Sequence, residues 1–269
     1  MSEIKRCALL DTDFISKLYI TKANDSDRLI YRVLSIADFY FVCHQQTSIE
    51  LARHNQWASK WLEKTSSVTV YTDRTLIHRL ASTFGAVAYG SYVNMLHRSC
   101  DIFSQAFFDT YYTPLEKYVT DEWGNYNLDD FVGLIEVCDT AIGQGNSLGE
   151  IKLYTMAQIL ERTGTEYLYI FCSDDRKARY ALSGHQTDMD CVSALASFYL
   201  AKKYLYMTKD EAQPFFDSWM DFHKKHNQDR FQVYTASGHQ LEKLLGQDIF
   251  DMLYNDELYL MKDGFFRRK

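Results

Sequence analysis

Apolar positions along the chain fall into two kinds of run. Four runs are short and continuously apolar: Cys7–Leu10, then residues 38–45 (DFYFVCHQ), 66–73 (SSVTVYTD) and 166–175 (EYLYIFCSDD). Runs of this length, rich in β-branched and aromatic residues, predict strands buried on both faces. Between them the spacing is that of amphipathic helices. Leu29, Ile30, Val33 and Leu34 recur at helical intervals within 26–37, and Ile151, Tyr154, Ala157 and Leu160 share one face of 147–164. The first strand ends on Asp11 and turns into a helix. The stretch TSIELARHNQWASKWLEK reads as a single helix, with Thr47 or Ser48 as N-cap and Glu50 in its first turn. Residues 74–147 are aromatic and helical in pattern. Helices are also predicted over 175–183 and 188–204, and two or three amphipathic ones over 208–269.

Strands that alternate with helices, and are apolar throughout, predict an α/β three-layer sandwich with a central, mainly parallel sheet. The expected organisation is one domain over 1–205, carrying a helical insertion at about 74–147, and a helical C-terminal extension over 206–269. Composition agrees with a folded chain: 46% of the 269 residues are hydrophobic and 24% charged, which excludes a disordered class. Only 2 prolines and 12 glycines are present, and no linker, repeat or low-complexity tract interrupts the pattern. The formal net charge of −7 speaks against a protein that coats nucleic acid. It leaves room for an enzyme with an acidic, metal-filled centre. The six cysteines (Cys7, Cys43, Cys100, Cys138, Cys172, Cys191) have no CxxC spacing and read as buried, reduced thiols. The apolar run near the N-terminus is too short for a signal peptide, and no stretch approaches the roughly 20 apolar residues that span a bilayer. A soluble, cytoplasmic protein without membrane attachment is expected.

Candidate chemistry lies in acids at strand ends and helix starts: Asp11, Asp13, Glu50, Glu150, Asp174 and Asp175. Each has a plain alternative. Asp11, Asp13 or Asp175 could cap the helix that follows, and Glu50 and Glu150 could favour the positive end of a helix dipole. In a parallel sheet, however, several strand ends converge on one edge. Carboxylates gathered there do not all ionise without a cation. Mg²⁺ takes a few carboxylates and retains waters, and such an ion activates water and stabilises a phosphodiester transition state.

Four blocks, LLDTDFISKL, TSIEL, LGEIKLYTMAQIL and YIFCSDDRKARYAL, resemble in order and context the acidic blocks of the PIN-domain nuclease family, in a prokaryotic branch with a GE…DDrkAR pattern. They cover roughly 1–73 and 147–205; residues 74–147 and 208–269 exceed a compact PIN domain. The resemblance implies a metal-dependent endoribonuclease using Mg²⁺ or Mn²⁺, with water attacking phosphorus and a 3′-hydroxyl leaving. Asp11, Glu50, Glu150 and Asp175 match the family's catalytic, metal-holding quartet. Asp174 supports the metal, and Asp13, Asp188 and Asp190 are further acids within reach in the sequence. The expected partner is nucleic acid, single-stranded or structured RNA. A toxin or defence role with an inhibitory protein partner, and a homodimer, are also implied.

Arg176 and Arg179, one turn apart, are candidates for substrate phosphate or for neutralising the acids. FHKKHN (222–227) and FFRRK (265–269) read mainly as solvated basic runs. Two other readings compete. A PIN-like fold without activity could serve as an interaction or RNA-binding module. DTDFI at a strand end also resembles the haloacid-dehalogenase phosphatases, although Ile15 stands where that pattern wants Thr or Val and Lys152 fills its lysine position poorly.

Overall fold

The computed structural model describes residues 6–120, 127–143, 146–164, 167–186 and 189–269. Its strands, in chain order, are β1 (Arg6–Leu10), β2 (Lys22–Asn24), β3 (Asp27–Arg28), β4 (Phe39–His44), β5 (Val68–Tyr71), β6 (Tyr167–Cys172), β7 (Asp190–Val192), β8 (Arg230–Tyr234), β9 (Leu241–Leu245), β10 (Leu258–Leu260) and β11 (Phe266–Arg268). The principal sheet has five strands in the order β5-β4-β1-β6-β7. Its outer pairs are parallel, β4 with β5 from Phe41–Val68 to His44–Tyr71, and β6 with β7 from Ile170–Asp190 to Cys172–Val192. Four residues of β1 and five of β4 are buried, as strands covered on both faces require. The α/β class is therefore the one the periodicity predicts.

The chain divides into two compact units that interleave in sequence. One comprises 1–11 and 40–168, the other 12–39 and 169–269. The first holds the predicted insertion, whose described residues are helical: Asp73–Phe84, Ala88–Phe103, Phe107–Tyr111, Lys117–Thr120 and Leu128–Ile142. Helix Asp73–Phe84 begins at a reciprocal Thr72–Thr75 capping box. Helix Leu148–Thr163 is buried around most of its circumference, with Ile151 to Leu160 all inside. A helix apolar all round belongs in the middle of its unit.

The second unit departs from expectation. Residues 208–269 are not only helical. Helices Lys209–Lys225 and Gly246–Tyr254 are joined there by a four-stranded sheet in the order β10-β11-β8-β9. Strands β8 and β9 form a hairpin in register from Arg230–Leu245 to Tyr234–Leu241. Gly238, at φ +75°, takes the left-handed position in its turn. Residues 188–204 also differ: 190–192 form β7, and only Ser197–Leu205 is helical. The core of this unit is a cluster of rings. Phe216 stacks on Phe250 at 4.2 Å, and Phe198 meets both edge-on at 5.8 Å. All six cysteines are free and buried, as expected, and burial pushes the Cys43, Cys100 and Cys191 thiols up to about 12. Among the described residues no helix is long and apolar enough to cross a membrane.

Candidate functional site

In the first unit, Asp11 follows β1 directly and is buried. The helix after β4 starts earlier than its sequence suggests. It runs Gln45–His54, and its N-cap is His44, whose Nδ1 accepts the Gln46 N–H at 3.1 Å. Thr47 and Ser48 therefore lie inside the helix, and Glu50 sits in its second turn. A second helix, Gln56–Leu62, begins at Asn55, whose side chain accepts the Ala58 N–H. Glu150 keeps its predicted place in the first turn of helix Leu148–Thr163.

Glu50 and the start of that helix meet. A Cβ placed on Gly149 would stand 2.8 Å from both carboxylate oxygens of Glu50. Only a residue without a side chain leaves room for the carboxylate against the helix's first turn, beside Glu150. The position favours an anion, since the first backbone N–H groups of a helix carry partial positive charge. Gln46 Nε2 donates to Glu50 Oε1 at 3.1 Å and steadies it. Two predicted blocks, TSIEL and LGEIKL, are thus brought together across 100 residues of chain (150 − 50).

In the second unit, Asp175 caps helix Arg176–Ala181. Its Oδ1 accepts the N–H groups of Lys177 at 2.6 Å and Ala178 at 3.2 Å. Asp174 pairs with Lys17, accepts the Ala194 N–H at 3.0 Å, and donates its own N–H to Asp13 at 3.0 Å. Burial works against its charge, but Lys17 overcomes this and holds the Asp174 carboxyl below its ordinary value. Asp190 lies on β7, exposed, and burial raises its carboxyl somewhat. Asp188 lies outside the described residues.

Arg179 is buried. Its Nε donates to the Asp263 carbonyl at 3.0 Å and a terminal nitrogen to the Ser173 carbonyl at 2.9 Å. Arg176 donates to Gln232 Oε1 at 2.8 Å. Among the described residues, no group of three or more His, Cys, Asp or Glu side chains is disposed to hold a metal ion.

One cluster escaped sequence reading. Lys152, 1% exposed, reaches Asp73 Oδ2 at 3.0 Å and Asp139 Oδ2 at 2.8 Å. Tyr92 donates its hydroxyl to Asp73, and Tyr112 to Asp139 at 2.5 Å. His44 Nε2 stands 3.3 Å from Asp73 Oδ1 without an aligned hydrogen bond. Burial opposes charge on Lys152 and on Asp73, yet their mutual attraction prevails. Lys152 is raised above its usual value and Asp73 falls below the usual carboxylate range. Asp73 closes an apolar strand run, as Asp11 does, and that was the readable signal. Its partners, 66 and 79 residues away (139 − 73 and 152 − 73), carry none.

The second unit also contains a cleft of about 720 Å³ between helices Thr12–Ile20 and Lys209–Lys225 and the β8–β9 hairpin. Comparison with protein-family models, with curated proteins and with solved structures returned no match.

Proposed function

We propose that this chain is a PIN-like phosphodiester hydrolase, an endoribonuclease requiring Mg²⁺ or Mn²⁺, in which Asp11, Glu50, Glu150 and Asp175 are essential. The observation that carries the reading is the seat of the Glu50 carboxylate against Gly149, beside Glu150. The resemblance assigns both glutamates to one centre, and the Glu50 carboxylate lies against the helix turn that carries Glu150. The five-stranded order, with Asp11 at the end of its innermost strand, is compatible with it. Since the described carboxylates form no cage, the metal requirement rests on the resemblance alone. So do RNA as substrate, a toxin or defence role, and an inhibitory partner. A carboxylate at Glu50 or Glu150 can take the proton of a water that attacks phosphorus, while the 3′-oxygen leaves and is protonated.

The test is cleavage of mixed single-stranded RNA and DNA by wild type, Glu50→Gln, Glu150→Gln and Asp175→Asn, with Mg²⁺ or Mn²⁺ and with chelator. Metal-dependent cutting of RNA by wild type alone is the expected result. Cutting that survives both glutamate substitutions rejects the assignment.

A second reading, an inactive PIN-like module that binds RNA or protein, draws on a specific observation. Asp175 is engaged by two backbone N–H groups, and Asp174 by the Ala194 N–H and by Lys17. RNA retained by wild type without any cutting favours it. The phosphatase reading has less support. Asp13, its second acid, receives the Asp174 N–H, and Lys152 lies in the buried cluster with Asp73 and Asp139.

A further inference from the structure

The cleft of the second unit is cationic in an acidic protein. Five Lys and Arg side chains line it against two Asp, whereas the whole chain carries −7. Lys17 is matched by Asp174, and Arg179 is held by carbonyls. Arg230 and Lys243 differ from these in being exposed at the mouth. Both belong to the β8–β9 hairpin. Lys243 pairs directly across from Gln232, which is two residues along from Arg230. Residues so related stand on one face of a sheet. Arg176, bonded to Gln232, brings a third cation to the same face. Three cations on one rigid face form a receptor for a phosphate group.

The wall behind them is aromatic and polar at once. Trp219 and His223, one turn apart on helix Lys209–Lys225, are 2% and 5% exposed, with ring centroids 4.2 Å apart. Neither Trp219 Nε1 nor His223 Nε2 has a hydrogen-bond partner. His223 Nδ1 lies 3.2 Å from the amide oxygen of Gln228, an acceptor, so Nδ1 carries the proton and Nε2 is left with a lone pair. The wall therefore holds one unmatched donor and one unmatched acceptor side by side. Buried polar groups left in this state are uncommon because each forfeits its hydration. Both atoms are covered, so the two rings must turn toward the cleft to present them to a ring edge bearing a neighbouring acceptor and donor, as a nucleobase does.

We infer that this cleft binds a phosphorylated, base-bearing ligand of nucleotide size, with the phosphate at Arg230, Lys243 and Arg176 and the base edge at Trp219 and His223. The volume suits such a ligand. The cleft shares Asp174, Arg176 and Arg179 with the nuclease reading but contains neither Glu50 nor Glu150, so binding here and cleavage fail separately. The ligand is either a free nucleotide or the phosphorylated end of an RNA.

The experiment titrates the full chain by calorimetry with the four ribonucleoside 5′-monophosphates, the unphosphorylated nucleosides and inorganic phosphate. RNA oligonucleotides with and without a 5′-phosphate form a further arm. At least one monophosphate should bind about tenfold or more tighter than its nucleoside and than phosphate alone. Arg230→Glu/Lys243→Glu, on exposed positions, should abolish that binding at unchanged melting temperature. Trp219→Phe should weaken the monophosphate while leaving inorganic phosphate unaffected. Equal affinity of free monophosphates and 5′-phosphorylated RNA assigns a free nucleotide, and a preference for the RNA assigns a chain end. No saturable binding, binding indifferent to the double substitution, or phosphate binding as well as every monophosphate overturns the inference.

Discussion

At the residue scale, Gly149 separates a structural role from a chemical one. Alanine is favoured over glycine inside a helix by about 1 kcal/mol, so Gly149→Ala gains stability wherever its methyl fits. Here the methyl meets only the far end of the Glu50 side chain, which can swing away. We expect unchanged or slightly raised stability by urea denaturation, and cleavage reduced toward that of Glu50→Gln. Lys152→Met should behave oppositely. It leaves Asp73 and Asp139 without their cation in the interior, which costs about 3–5 kcal/mol. The denaturation midpoint should fall at unchanged slope. Asp174 and Lys17 set a pH window. The depressed Asp174 carboxyl contributes stability that is present above its ordinary value of 3.8 and is lost as pH falls through its lower folded value. The raised Lys17 contributes stability that is present below 10.5 and is lost as pH climbs past its folded value. Melting temperature followed against pH should show both limbs in wild type, and a flatter acid limb in Asp174→Asn.

At the element scale, Asp175 carries a testable ambiguity. Asparagine caps a helix as well as aspartate, whereas alanine costs about 0.5–2 kcal/mol. Asp175→Asn should therefore melt like wild type and Asp175→Ala lower; on the nuclease reading both lose cleavage. The same scale explains what was legible. Strands β1, β4, β5 and β6 are apolar runs closed by polar residues, and β1 and β4 are buried on both faces, so they were readable. Strand β7, three residues long, offers no period to detect. Strands β10 and β11 are as short, and β9 exposes every second residue on a half-covered sheet, which five residues cannot separate from a helical stripe. The cap at His44 was missed because an imidazole Nδ1 does there what Ser or Thr usually does. The DD turn and the GE start were found as motifs. The meeting of Glu50 with Gly149 depends on a tertiary approach that no local pattern records.

At the scale of the whole molecule, the second unit is assembled from distant stretches, 12–39 and 169–269. A fragment ending at residue 205 retains Phe198 but loses Phe216 and Phe250, the rings against which it packs. We expect that fragment to give collapsed amide resonances and rapid proteolysis for 12–39 and 169–205, and a longer-lived first unit. The interleaving also has a temporal side. Lys17 leaves the ribosome 157 residues before Asp174, its partner, an interval of roughly 10–30 s at ordinary rates of synthesis. Helix Thr12–Ile20 spends that time as an amphipathic segment with no unit to join, and β8 waits a further 33 residues (267 − 234) for β11, which pairs with it through Tyr234–Arg267. The nascent chain is thus committed to a long vulnerable period, in which whatever shields its apolar faces decides how much of it survives to fold.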